Sequence, residues 1–144
     1  MKLETYSFGT LEYDPQSIVE LSEGMLGFAR YKKYLLLEHE ETQPLKWLQS
    51  LDSPEIAFPV VDAQLLVPGY SDSISQEVLE TLQIEQPADA VTLAVVVIPE
   101  DPSQATVNLK APVLINHRRM TGIQIVLQET AYETQTPLSQ IQQP

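Results

Sequence analysis

The sequence contains no cysteine. Disulfides, thiolate nucleophiles and cysteine-ligated zinc are all excluded, a composition in keeping with a reducing compartment. Histidine is scarce too, His39 and His117 being the two imidazoles. The five glycines are too dispersed for a phosphate-cradling loop. Long apolar runs are missing: the longest, around residues 93–98, is far shorter than the ~20 residues that cross a bilayer. Residues 1–6 lack the apolar core of a signal peptide, so a cytoplasmic protein with no membrane association is expected.

The most informative gap lies in the charge. No lysine or arginine occurs between Lys46 and Lys110, yet that stretch holds ten acids, Asp72, Glu77 and Glu80 among them. Over the whole chain, 20 acidic residues against 8 basic ones give a formal charge of −12. This distribution repels phosphate backbones, whose binding depends on clustered Lys and Arg, and argues against direct nucleic-acid binding. It favours a basic partner, because a one-signed field raises encounter rates with the opposite charge. Acidity alone serves solubility first; its confinement to one stretch is the additional signal.

What is present is strand-like. With 144 residues the chain reads as one domain, and a chain of this size buries roughly 68–70% of its unfolded surface without a metal or disulfide. Short β-branched and aromatic runs recur between turn signals: residues 8–13, 18–21, 34–38, 56–61, 91–98, 105–109, 112–116 and 122–128. Residues 91–98 are nearly all apolar and predict a central strand buried on both faces. Pro59 places its own segment at an edge or bulge. One stretch reads as a helix, residues 75–82, where Val78, Leu79 and Leu82 share a face and either Ser73 or Ser75 provides the cap. The expected fold is all-β and mostly antiparallel, a barrel-like or sandwich sheet with one short helix near residues 75–82. Residues 1–132 form the domain, and the polar, glutamine-rich tail 133–144 is expected to be mobile.

No catalytic constellation is recognisable. In Glu38-His39-Glu40-Glu41 a strand would point His39 away from Glu38 and Glu40, so no metal site is expected there. His117, before Arg118-Arg119, suits an exposed turn after a strand. Gly24-Met25-Leu26-Gly27 lacks the lysine of a P-loop, and positive φ at both glycines is the preferred reading. No cofactor is implied. Two competing classes stay open: a β-barrel enzyme whose groups converge only in space, and a carbohydrate-binding module using Trp47 and the tyrosines.

Three ordered segments carry a resemblance. They are Gly24-Met25-Leu26-Gly27-Phe28; Pro44-Leu45-Lys46-Trp47-Leu48-Gln49-Ser50-Leu51-Asp52 followed by Ile56-Ala57-Phe58-Pro59-Val60; and residues 108–116 followed by 122–127. Together they resemble the flagellar assembly factor family FliW. Two departures stand out: Leu26 occupies a position where that family has proline, and Asp62-Ala63 stands where it often has Asp-Pro. The resemblance implies a cytoplasmic, non-enzymatic protein with two partners, flagellin and the RNA-binding translational regulator CsrA. Flagellin held in the cytoplasm would occupy the protein, and its export would free the protein to bind CsrA and relieve repression. A monomer is favoured.

Expected partner-facing residues follow from charge and polarity. Asp72, Glu77 and Glu80 are the acidic candidates for a basic CsrA-type surface. Gln49, Asn108, Asn116 and Gln124 are the polar candidates, with local backbone bonding at turns as the alternative role. A groove for an amphipathic flagellin helix is sought near Trp47, Phe58 and residues 108–116, although both aromatics are more often core.

Overall fold

The computed structural model describes residues 1–128 and 130–141. The chain forms β1 (Lys2–Thr5), β2 (Gly9–Glu12), β3 (Ile18–Leu21), β4 (Lys33–Glu38), β5 (Lys46–Ser50) and β6 (Ala57–Asp62). The helices α1 (Ala63–Leu66) and α2 (Gln76–Thr81) follow, and then β7 (Ala90–Val97), β8 (Thr106–Asn116), β9 (Thr121–Gln124), β10 (Thr136–Pro137) and α3 (Leu138–Ile141).

The main sheet has eight strands in the order β10-β8-β7-β6-β5-β4-β3-β9, and β9 also pairs with β8. Setting β10 aside, that extra pairing closes the other seven strands into a barrel. Neighbours alternate in direction around the ring, and an odd number of strands forces one parallel pair. That pair is β3 with β9, where Glu20 lies opposite Thr121 and Leu21 opposite Gly122. Of the two architectures left open by the sequence, the barrel is the one adopted.

Two apolar layers follow from the period of two along each strand. The lumen takes Val19 and Leu21 from β3, Tyr34 from β4, Leu48 from β5, Val60 from β6, Leu93 from β7, and Val113 and Ile115 from β8. A second layer lies outside the barrel, where Val61, Ala94, Val96, Val107, Leu109 and Leu114 are covered by Ala63, Tyr70, Ile74 and Leu82. β7 serves both layers: Val91, Leu93 and Val95 face the lumen, while Ala90, Ala94 and Val96 face the helical cover. The unbroken apolar run of that strand reflects burial on both sides, as its composition predicted.

The two strands expected at 105–109 and 112–116 are one continuous strand, β8, with a large bulge. Between the pairs Leu93–Val113 and Val95–Asn108, β7 advances two residues while β8 uses five. Asn108 holds the bulge, its Oδ1 accepting from the backbone N–H groups of Lys110 and Ala111, each at 3.0 Å. Pro112 sits inside it. Pro59 is not at a sheet edge: it pairs with Trp47 on β5, and the β7 ladder starts one residue later, at Val60.

The helix expected at 75–82 is α2, with Ser75 rather than Ser73 as its cap, Oγ accepting from the Val78 N–H at 3.3 Å. The polar stretch from residue 133 contributes to the sheet: Thr136 and Pro137 pair with Val107 and Thr106 of β8. Leu138 then packs on the outer apolar layer, which draws this part of the tail onto the barrel. Residues 142–144 lie outside the described residues. β1 and β2 form a separate hairpin. Its Phe8 packs edge-on against Trp47 at 5.5 Å between ring centroids, on the face of β5 turned away from the lumen.

Candidate functional site

The sequence-derived candidates separate into two groups. Asp72, Glu77 and Glu80 are exposed and lie on the helical cover of the barrel, Asp72 in the 3-10 turn Tyr70–Ser73 and the two glutamates on α2. They share the segment that packs over β6, β7 and β8 through Tyr70, Ile74 and Leu82. The cover therefore presents carboxylates outward and apolar groups inward. Arg118 and Arg119, in the turn between β8 and β9, line a shallow cavity with Glu85 and Asp89 at the border of this acidic region. No ion pair joins them. Among the described residues one pair within 4 Å is found, Lys46 to Glu38 at 3.3 Å.

The polar candidates are instead engaged by the fold. Gln49 is fully buried, and its Nε2 donates to the carbonyls of Ser50 (3.0 Å), Pro54 (3.4 Å) and Ile56 (3.2 Å), fixing the turn between β5 and β6. Asn116 is 1% exposed; its Nδ2 donates to Leu82 and Gln83, and its Oδ1 accepts from the N–H groups of Arg118 and Arg119. It ties the C-terminus of α2 to the β8–β9 turn. Asn108 holds the β8 bulge. Gln124 donates to the Ala111 carbonyl at 3.0 Å and accepts from the Leu26 N–H at 2.8 Å. The alternative weighed for these residues, local backbone bonding, is what the structure displays. Gln49 and Asn116 are buried in the isolated chain, so any part they play in contact runs through the turns they hold.

The aromatic candidates close rather than open a groove. Trp47 is half-buried, with its indole N–H donating to Thr42 Oγ1 at 3.0 Å. Phe58 packs between Phe28 and Tyr34, with centroids 5.3 and 6.2 Å away. The open apolar surface lies elsewhere. A groove of ≈ 270 Å³ is lined by Pro44, Leu45, Leu66, Val96, Ile98 and Leu138, among others, and Ile98 carries it onto the surface at 43% exposure. Sequence reading missed it because it joins the ends of β7, α1 and α3, segments far apart in the chain.

The histidines make no relay. His39 lines a shallow cavity with Glu38 and Ser7, but among the described residues no hydrogen bond connects the three. Its ring lies 6.2 Å from Phe8. His117 is exposed, its Nε2 donating to the Ala88 carbonyl at 2.8 Å. Among the described residues no group of three His, Asp or Glu side chains could hold a metal ion. Nor is any helix among them long and apolar enough to cross a membrane.

Gly24 and Gly27 have φ of +67° and +84°, as the turn between them requires. A Cβ on Gly24 would stand 2.6 Å from the Phe28 carbonyl oxygen and 2.8 Å from Ala29 Cα, whereas one on Gly27 would meet nothing within 4 Å. Gly24 therefore answers both to conformation and to close approach, Gly27 to conformation alone.

These segments are the ones that carried the resemblance, and comparison with known proteins agrees with it. The family model described as FliW protein matches residues 2–138. The Flagellar assembly factor FliW of Caldanaerobacter subterraneus subsp. tengcongensis is 37% identical over 139 residues, covering 96% of this chain and 93% of the relative. That of Geobacter sulfurreducens is 38% identical over 137 residues, covering 95% and 86%. A crystal structure of the flagellar assembly factor FliW superposes with a TM-score of 0.88 at 30% identity, covering 96% of both chains. The chain belongs to the FliW family.

Proposed function

We propose that this protein is a cytoplasmic, non-enzymatic assembly factor that binds flagellin and, in its absence, a CsrA-type RNA-binding regulator. The switch is mass action: exported flagellin leaves the protein free to engage the regulator and lift repression of flagellin synthesis. No bistable fold is needed for this.

The observation that carries the reading is the separation of charge in the fold. Asp72, Glu77 and Glu80 stand exposed on a cover whose chain has no lysine or arginine between Lys46 and Lys110. A regulator that contacts phosphates presents a basic surface, and this cover is complementary to it. Docked beside the RNA site, it adds repulsion against phosphate even where it does not cover the bases. Gln49, Asn108, Asn116 and Gln124 contribute indirectly, by fixing the turns around the barrel.

Flagellin is the second partner. The groove running on to Ile98 is an open apolar surface suited to the apolar face of an amphipathic helix.

Calorimetry against the regulator at two salt concentrations tests the acidic surface. The triple charge reversal Asp72→Lys, Glu77→Lys and Glu80→Lys is expected to weaken binding at least tenfold and to flatten its salt dependence. Unchanged affinity and unchanged salt dependence would sink the assignment of that face. The same variant should keep flagellin, whereas Ile98→Asp should lose flagellin and keep the regulator.

A further inference from the structure

A cavity of ≈ 220 Å³ opens between α1, α2 and the outer face of β7. Ile74, Leu79 and Ile84 give it an apolar wall, and Gln64, Ser71, Gln76 and Gln86 line much of the rest. Asp62 and Glu85 supply carboxylates to its lining, and no lysine or arginine lines it.

Thr92 sits on the floor. It is 5% exposed, faces outward with Ala90 and Ala94 on the same side of β7, and lines the cavity. Among the described residues no hydrogen bond to its hydroxyl is found, and the hydroxyl is not one of the fully enclosed, unpartnered polar groups, so it stays open to the cavity. Asp62, the last residue of β6, also lines the cavity. Asp62 spends Oδ1 on the Gln64 N–H at 2.9 Å as the cap of α1, and its Oδ2 is not otherwise engaged among the described residues.

We propose that this cavity is the anchor site for a lysine side chain of the basic protein partner. The aliphatic stem lies against Ile74, Leu79 and Ile84, and the ammonium donates to Thr92 Oγ1 and Asp62 Oδ2, with Glu85 adding charge. A compact ammonium has three donors and carries its own apolar stem, so it satisfies the floor, the carboxylate and the walls together. A neutral apolar side chain would fill the walls but leave Thr92 and Asp62 unmatched. The flanking acids Asp72, Glu77 and Glu80 then steer the partner, while the cavity holds it.

The anchor rests on the acidic-face reading, and two measurements separate them. The first titrates the isotope-labelled full chain with acetyl-Gly-Lys-Gly-amide and with the same peptide carrying norleucine or arginine, following resonances by NMR. The lysine peptide is expected to give saturable shifts at Thr92 and Leu79, with norleucine at least fivefold weaker and arginine weaker than lysine. Thr92→Val, which keeps the shape, and Asp62→Asn, which keeps the cap, should each abolish the preference. Equal shifts from norleucine, or shifts at Asp72, Glu77 and Glu80 without Thr92, would overturn the anchor.

The second measures regulator binding to Thr92→Val, with thermal unfolding confirming an intact fold. A roughly tenfold loss supports the anchor; unchanged affinity overturns it and leaves the acidic face standing. If the regulator does not bind the unaltered chain, the acidic-face reading fails and the peptide titration alone decides the anchor.

Discussion

The side-chain oxygen of Gln124 accepts a hydrogen bond from the Leu26 N–H at 2.8 Å, across 98 residues of chain. Through its other end, Nε2 donating to Ala111 at 3.0 Å, the same amide bridges the Gly24–Gly27 turn and the β8 bulge. Gln124→Ala removes both bonds and leaves the Ala111 carbonyl, on a buried residue, without its partner. A loss of about 2 kcal/mol is expected from two modest bonds and one unsatisfied acceptor, measured by urea unfolding. Gln124→Glu keeps the acceptor for Leu26 but sets a second acceptor against the Ala111 carbonyl, and should destabilise at least as much as alanine.

Gly24 and Gly27 share a left-handed backbone but differ in room. Gly27→Ala is expected to cost about 1 kcal/mol, the strain of positive φ alone. Gly24→Ala should cost clearly more, because its new methyl would also press on the backbone of Phe28 and Ala29. Thermal melts of the two single variants give the comparison, and equal losses would refute the close-approach argument.

Tyr34 and Tyr70 are both fully buried, yet removing their hydroxyls should have opposite effects. The Tyr70 hydroxyl donates to the Leu109 carbonyl in the outer layer, so Tyr70→Phe strands that acceptor and should destabilise by about 1–3 kcal/mol. Among the described residues the Tyr34 hydroxyl has no partner, so Tyr34→Phe removes an unmet polar group and should be neutral or stabilising. Chemical denaturation of the two variants side by side decides the matter.

Alkaline pH reports on Tyr34 independently. Burial, then the Asp52 carboxylate and Tyr31, push its pKa from the ordinary 10.0 up to about 12. The folded chain holds this proton more tightly than the unfolded one, so the favourable contribution is complete below pH 10. It is lost as pH rises through about 12. Tyr34→Phe should flatten the fall in stability over that interval; an unchanged slope would place the hydroxyl in contact with solvent.

Much of the fold was legible because its causes are local. The β7 run is apolar throughout since it faces both layers, and Ser75 lies where a cap satisfies the first N–H groups of α2. β5 was harder: Lys46-Trp47-Leu48-Gln49-Ser50 shows no plain alternation, because its outward Trp47 and Gln49 are themselves covered or bonded to the next turn. The β8 bulge was split into two strands because Lys110-Ala111-Pro112 interrupts the pattern, and the bonds that carry the chain across come from Asn108 and Gln124. The candidate residues divide in the same way. Exposed Asp72, Glu77 and Glu80 follow from charge alone. A buried asparagine and a surface one look identical in sequence, and the role of Asn116 is set by Leu82 and Gln83 from another part of the chain.

The single parallel pairing of β3 with β9 bears on how the protein forms. A ring sealed by strands near opposite ends of the chain has no partial closure available: until β9 has left the ribosome, β3 keeps an open edge and the lumen keeps a gap. Folding of the barrel is therefore completed late in synthesis, through a contact that is among its most distant in sequence. A chain shortened before Thr121 would retain the hairpins and helical turns but would expose two unmatched strand edges, making it a substrate for chaperones and proteases.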